Sequence, residues 1–372
     1  MRPLSVLIKP ASGLCNMRCA YCFYADVTEH RSVKSYGIMS QETAEIIIKR
    51  CFEYADGPVS FAFQGGEPTL AGEEYFRYFT TRAKELNTKN LPVSYSVQTN
   101  GYKLSDGLCG IFREHKFLVG LSLDGTAAFH DCARMNVEGE GTHKNVIASA
   151  AKLSEYGIDY NILTVLTEQN AKNISKIFHY FKSRNFRFIQ FIKHIDGFGD
   201  CNSSSVFSLT PKRYASFLKT AFGLYYDDFM SGNYISVREF DNFVRLAAGR
   251  PAECCGMNGG CSLTLVLEAD GSAYPCDFYV LDQWKLGRIA DSTVEELFSS
   301  DTARRFIRRS MQVPDKCRSC RYLRLCRGGC TRYREPLSED GTGVNKYCES
   351  YIEFFDSAMP KLQKMAAMIS RR

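Results

Sequence analysis

The chain has 372 residues, of which 45% are hydrophobic and 24% charged, and a formal net charge of +6. It is long enough for one large domain plus a smaller one, and the mild, dispersed charge gives no reason to expect nucleic acid as a partner. No apolar stretch approaches the roughly 20 residues of a membrane span, the apolar run in residues 1–9 is too short for a signal peptide, and a cytoplasmic protein without a membrane partner is expected.

Short β-branched runs alternate with longer amphipathic ones. Strands are predicted at residues 4–9, 60–63, 93–97, 118–123, 160–166 and 188–192, and helices at 41–54, 73–86, 146–156 and 173–184. One strand and one helix recur every 30 to 40 residues or so, the rhythm of a parallel sheet with crossover helices. Six such units predict an α/β fold, a partial (β/α)6 TIM-type barrel, whose chemistry belongs at the C-terminal ends of the strands. Polar and glycine-rich segments stand at those ends: residues 15–22, 64–68, 98–101 and 122–125. The alternation fades near Gly232-Asn233. The expected domains are 1–235, the barrel, and 236–372, a small cysteine-rich part with a bridging helix at 237–248 and a closing C-terminal helix at 351–369.

Cysteine is the outlier, with 16 residues in uneven groups. Reduced thiols clustered in a cytoplasmic protein read as metal ligands rather than disulfides. Cys15, Cys19 and Cys22 are spaced C-x3-C-x2-C. Three thiolates can hold three irons of a cubane cluster and leave the fourth open to a small molecule, whereas an electron-transfer cluster or a structural zinc takes four ligands. Downstream, Cys255, Cys261, Cys276, Cys317, Cys320, Cys326, Cys330 and Cys348 make eight ligands, enough for two closed sites. Cys254 can replace Cys255 in that count, and zinc ribbons are the alternative to iron. Cys51, Cys109, Cys132, Cys201 and Cys254 remain, and buried thiols are expected there.

The C-x3-C-x2-C motif followed by Gly65-Gly66-Glu67 resembles the radical S-adenosylmethionine (radical SAM) superfamily, and the cysteines from 261 to 348 resemble the SPASM auxiliary-cluster domain. Residues 63–70, 98–101 and 274–279 are similar to those of anaerobic sulfatase-maturating enzymes. The resemblance implies three [4Fe-4S] clusters and S-adenosylmethionine (SAM). It implies SAM bound at the open iron and cleaved to a 5′-deoxyadenosyl radical, hydrogen removal from Cβ of a sulfatase cysteine or serine, and loss of an electron through the auxiliary clusters to give Cα-formylglycine. It also implies as partners an unfolded or nascent sulfatase polypeptide and an electron donor such as flavodoxin or ferredoxin.

Site residues follow motif by motif. Tyr21, Gly66, Ser122, Arg134 and Ile195 resemble SAM contacts, and Glu67 orders the glycine turn. Arg134 suits a carboxylate because guanidinium meets it as a fork. Asp277, directly after Cys276, matches the base that deprotonates the substrate. An unperturbed Asp has a pKa of about 3.9, so a base for a thiol is expected to be raised by desolvation. Capping of a turn after Pro275 is the plainer role for that Asp. Tyr24 and Gln64 match residues lining the peptide site, and Tyr24 equally suits a packed core aromatic. Two other readings are a radical maturase that crosslinks or epimerises a ribosomal peptide, and a non-enzymatic zinc scaffold.

Overall fold

Ten strands run in chain order as β1 Leu4–Ile8, β2 Val59–Phe63, β3 Val93–Thr99, β4 Leu118–Ser122, β5 Tyr160–Leu166, β6 Phe188–Lys193, β7 Ser236–Val237, β8 Leu265–Leu267, β9 Ser272–Tyr274 and β10 Gly287–Arg288. This is a computed structural model, and it describes residues 1–198, 205–338 and 341–370. All six strands expected from the apolar runs are present. The described residues fall into two compact units: Met1–Leu123 with His130–Asn161 and Leu263–Phe306, and Asp124–Phe129 with Ile162–Ser262 and Ile307–Arg372. Residues 263–306 therefore group with the N-terminal strands.

In the first unit the strand order is β10-β9-β8-β1-β2-β3-β4. β1 is central. It pairs in parallel with β2, Leu4 opposite Val59, and with β8, Val6 opposite Leu265. Its alternate residues Leu4, Val6 and Ile8 are buried, the period-2 pattern of a strand with one face on the core. The helix Gln41–Tyr54 starts where Ser40 Oγ accepts a hydrogen bond from the Thr43 amide at 3.1 Å, which satisfies one orphan donor of the first turn. The helix Gly72–Leu86 lays Phe76 and Phe79 against Phe63, at centroid distances of 5.1 and 5.0 Å. Phe117 and Phe112, 4.8 Å apart, extend this aromatic core.

In the second unit β5, β6 and β7 pair in parallel, Ile162 opposite Ile189 and Phe188 opposite Ser236. A helix absent from the sequence prediction, Pro211–Met230, begins with Thr210 as its cap and Pro211 in its first turn. It packs on Arg238–Ala247 and on Cys348–Ser370 through Phe222, Phe240 and Phe354, with centroid distances of 5.4 and 5.3 Å from Phe222. Among the described residues no helix is long and apolar enough to cross a membrane.

Candidate active site and cluster sites

The segment that carries Cys15, Cys19 and Cys22 leaves β1 and is clamped from two sides. Ser12 and Leu14 carbonyls accept the amides of Gly66 and Glu67, both at 2.8 Å. On the other side the Arg18 and Ala20 amides donate to the Met135 and Ala133 carbonyls, at 2.8 and 2.9 Å. The contact at Gly66 is so close that a Cβ there would run into the Leu14 carbonyl oxygen, and only glycine fits. Buried Glu67 joins the ends of two strands. Its Oε1 accepts from the Thr69 hydroxyl at 2.7 Å and the Thr99 hydroxyl at 2.8 Å, and its Oε2 from the Asn100 amide at 2.7 Å. It orders the turn, as expected from its place after the two glycines.

Three features of this loop suit a cluster. Burial pushes the Cys15 thiol up, so a bound metal is what would hold it as thiolate. Asn100 Nδ2 lies 3.7 Å from Cys15 Sγ and Arg134 Nη1 lies 3.9 Å from Cys19 Sγ, donors that favour the charged sulfur. Arg134 is also buried, with its guanidinium 5.4 Å from the centre of the Tyr21 ring. Ser122 closes β4 and is half-buried. Ile195 lies in the second unit, two residues past β6, and is also half-buried.

Asp277 opens a short 3-10 turn, Asp277–Tyr279, that docks on the helix Phe23–Glu29 through an edge contact of Phe278 with Phe23 at 5.3 Å. Its immediate partners are a cation and an amide. Lys9 Nζ pairs with Oδ1, and Gln64 Nε2 donates to Oδ2 at 2.6 Å. The Lys9 side chain is fully buried and Asp277 is 15% exposed. The reason is topological: β1 and β2 both end beneath the turn, so the first residue after each strand reaches the carboxylate. Tyr24 is buried, as a packed core aromatic is. Its ring packs under Lys9 Nζ at 4.0 Å, and its hydroxyl donates to Glu268 Oε1. Arg31 Nη1 binds the same Glu268 oxygen at 2.6 Å. Burial and the Glu268 charge hold the Tyr24 phenol well above its ordinary pKa, so it is a fixed hydrogen donor. Lys9, Arg31 and Glu268 were not foreseen. Lys9 did carry a signal, since a charged residue at the C-terminal end of a barrel strand stands where the chemistry belongs.

In the second unit the cysteines form two groups. Cys317, Cys320, Cys326 and Cys348 line one cavity of about 250 Å³, together with Lys316 and Tyr351. Cys330 stands beside Cys255 and Cys261. Burial, then the charges of those two thiols, push it up to about 11, and its Cβ is 3.3 Å from where a Cβ on Gly256 would lie. Cys261 Sγ is 3.5 Å from the Thr331 hydroxyl. Cys254 faces elsewhere, with its sulfur 3.6 Å from Asn242 Nδ2. Cys276 belongs to the first unit, next to Asp277. Cys51 and Cys109 are buried as expected. Cys132 is exposed instead, because it sits in a surface turn, and Cys201 lies outside the described residues. Among the described residues no three His, Cys, Asp or Glu side chains converge on a single-ion position. Four sulfurs around a shared cavity are the ligand number that a closed cubane cluster takes.

Residues 10–181 match the Radical SAM superfamily, and residues 255–321 match SPASM, an iron-sulfur cluster-binding domain. Over 372 residues, 100% of both chains, the sequence is 43% identical to the cysteine-type anaerobic sulfatase-maturating enzyme of Clostridium novyi (strain NT). The chain belongs to the anaerobic sulfatase-maturating enzymes. Its identity to the serine-type enzyme of Bacteroides thetaiotaomicron is lower, 29% over 384 residues covering 98% of this chain and 91% of that one. A solved structure of native anSMEcpe with bound AdoMet and Cp18Cys peptide superposes with a TM-score of 0.95 at 43% identity, covering 99% of this chain and 100% of that one. This sulfatase-maturating enzyme therefore has the radical SAM fold with a SPASM domain that its motifs imply.

Proposed function

We propose that this enzyme oxidises a cysteine in a sulfatase polypeptide to Cα-formylglycine, with Asp277 as the base. The observation that carries the reading is Asp277 itself, tied by the chain to Cys276 and held at both oxygens by Lys9 and Gln64. A cysteine substrate is favoured by the higher identity to cysteine-type relatives, 43–44%, against 24–29% for serine-type ones.

When bound, the cluster on Cys15, Cys19 and Cys22 together with SAM supplies a 5′-deoxyadenosyl radical that abstracts hydrogen from the substrate Cβ. Arg134 would hold the SAM carboxylate, the Gly66 backbone its amino group, and Ser122, the Tyr21 backbone and Ile195 its nucleoside. Lys9 and Gln64 fix the Asp277 carboxylate in one orientation, from which it takes the substrate thiol proton. Tyr24, pinned by Glu268, walls the peptide site beside it. The eight downstream cysteines of the motif would hold two auxiliary clusters, Cys317, Cys320, Cys326 and Cys348 one of them, which makes three clusters in all. Residues 1–235 then generate the radical and 236–372 remove the electron, delivered to or drawn from a carrier such as flavodoxin or ferredoxin. Thiols held as cluster ligands suit the reducing cytoplasm.

The test is anaerobic turnover of paired peptides carrying Cys or Ser at the target position, in wild type and Asp277→Asn. The expected result is formylglycine from the Cys peptide, with SAM cleavage retained but formylglycine sharply reduced in the variant. Cleavage of SAM without any change in peptide mass in the wild type would overturn the reading. An iron content of about twelve per chain is expected for three cubanes.

A further inference from the structure

Lys193 ends β6, and its ammonium is enclosed by side chains of the second unit. Nζ lies 3.4 Å from Glu239 Oε1 and 3.4 Å from the Tyr214 hydroxyl. It faces the rings of Tyr214, Tyr333 and Tyr351 at 5.2, 5.3 and 6.0 Å. The Tyr333 hydroxyl donates to the Lys193 carbonyl at 2.8 Å, which closes the cage on the residue's own backbone. The Lys193 side chain is 15% exposed and Glu239 7%. Burial works against the charge, but Glu239 and the surrounding phenols more than compensate and hold the ammonium well above its ordinary pKa. An interior position that needed only packing would be served by an apolar chain, since burying an ion is costly.

The cage adjoins both cysteine groups. Tyr333 is three residues past Cys330, and its amide donates to the Cys330 carbonyl at 3.1 Å. Lys193 is among the charges that act on the Cys330 thiol. On the other side Tyr351 lines the cavity of Cys317, Cys320, Cys326 and Cys348. A fixed cation thus stands between two sets of ligands with little water to screen it, where charge acts strongly.

We propose that Lys193 is an electrostatic positioning residue: its charge raises the reduction potential of the cluster bound by Cys255, Cys261 and Cys330, so that this cluster takes the electron leaving the substrate. The inference rests on those three cysteines being cluster ligands. After hydrogen abstraction, the substrate carbon radical bearing a thiol becomes a thioaldehyde by losing one proton and one electron, and water then replaces the sulfur, released as hydrogen sulfide, to give the aldehyde. The proton goes to Asp277. The electron goes to the oxidised cluster, whose charge falls by one, and a nearby cation stabilises that more negative product. Glu239 opposes the effect, so the two residues have opposite signs.

The experiment is a redox titration, followed by electron paramagnetic resonance, of the full chain loaded with iron and sulfide under anaerobic conditions. A Cys15→Ala/Cys19→Ala/Cys22→Ala background leaves only the auxiliary clusters visible. Lys193→Met is expected to lower one midpoint by at least a tenfold change in the reduction equilibrium, about 59 mV for one electron. Lys193→Arg should leave it in place, and Glu239→Gln should raise it. Unmoved midpoints in iron-loaded Lys193→Met, or shifts of the same sign in Lys193→Met and Glu239→Gln, overturn the inference while leaving the ligand assignment intact. Should Lys193→Met fail to load iron, Glu239→Gln decides: a rise supports the proposal and no rise overturns it. Failure of the background protein itself to load iron overturns the ligand assignment and the inference with it.

Discussion

Replacing Lys9 by Met separates what the Lys9–Asp277 pair does for folding from what it does for chemistry. Met keeps the length and volume of the side chain and removes only the ammonium. The lysine is fully buried and Asp277 is 15% exposed, so the variant leaves a mostly buried carboxylate with Gln64 as its remaining partner. Removing one member of a buried pair costs about 3–5 kcal/mol, and loss of the ammonium over the Tyr24 ring at 4.0 Å adds up to about 2 kcal/mol. The lower end, about 3 kcal/mol, is the expected loss here, because the open side of Asp277 gives its charge some access to water. A base freed from its orientation should also lose most of its general-base contribution, about 10²–10⁴-fold. Formylglycine and 5′-deoxyadenosine would be quantified together by mass spectrometry, and stability by anaerobic denaturant titration. Lys9→Met should cleave SAM while formylglycine falls about 100-fold or more. The double variant Lys9→Met/Asp277→Asn should regain most of the stability, since no unpaired charge remains, and none of the activity. Wild-type formylglycine yield from Lys9→Met would refute the argument, as would a double variant no more stable than the single one.

Gly66→Ala forces the Leu14 carbonyl away, so the cysteine loop shifts; SAM affinity measured by equilibrium dialysis should fall at least tenfold, and unchanged affinity would count against the assigned contact. Tyr24→Phe removes one donor from buried Glu268 and should destabilise the protein by about 1–3 kcal/mol, with peptide KM rising more than SAM KM in steady-state assays. Phe63→Ala opens a hole among Phe76, Phe79 and Phe117 and should cost about 3–5 kcal/mol in denaturant titration, with the activity of the remaining folded protein intact. Stripping iron with a chelator should lower amide exchange protection across residues 317–330, because four thiols around an empty cavity lose the cluster that would join them; unchanged exchange would argue that packing alone holds the segment.

The parallel strands were legible because each is a short apolar run bounded by turns, and the helices because their apolar residues recur at helical spacing. The helix Pro211–Met230 was within reach: Thr210 before Pro211 is a start signal, and Tyr214, Phe217, Leu218, Ala221 and Phe222 share its buried face. β8, β9 and β10 have two or three residues each, too few for any period to show. β8 exists because Leu265–Leu267 finds β1 far back in the chain, and local pattern holds no trace of that pairing. The same limit hid the environment of Asp277. Its position after Cys276 was readable, but its partner Lys9 is 268 residues away. The cysteine spacing yields eight candidate ligands, yet only the fold separates Cys317, Cys320, Cys326 and Cys348 from Cys255, Cys261 and Cys330.

The parallel pairing of β8 with β1 has a consequence for recombining such enzymes. The Lys9 amide donates to the Leu267 carbonyl at 2.8 Å, so the strand leading to Cys276 and Asp277 is laced to the one leading to Cys15. Exchanging the cysteine-rich half between relatives at residue 235 would cut through that lacing and ask a foreign strand to find its register on β1. Crossovers near 262 and 306 would instead keep Asp277 with the strand its segment is laced to, and hybrids built that way should retain formylglycine formation where the simpler splice does not.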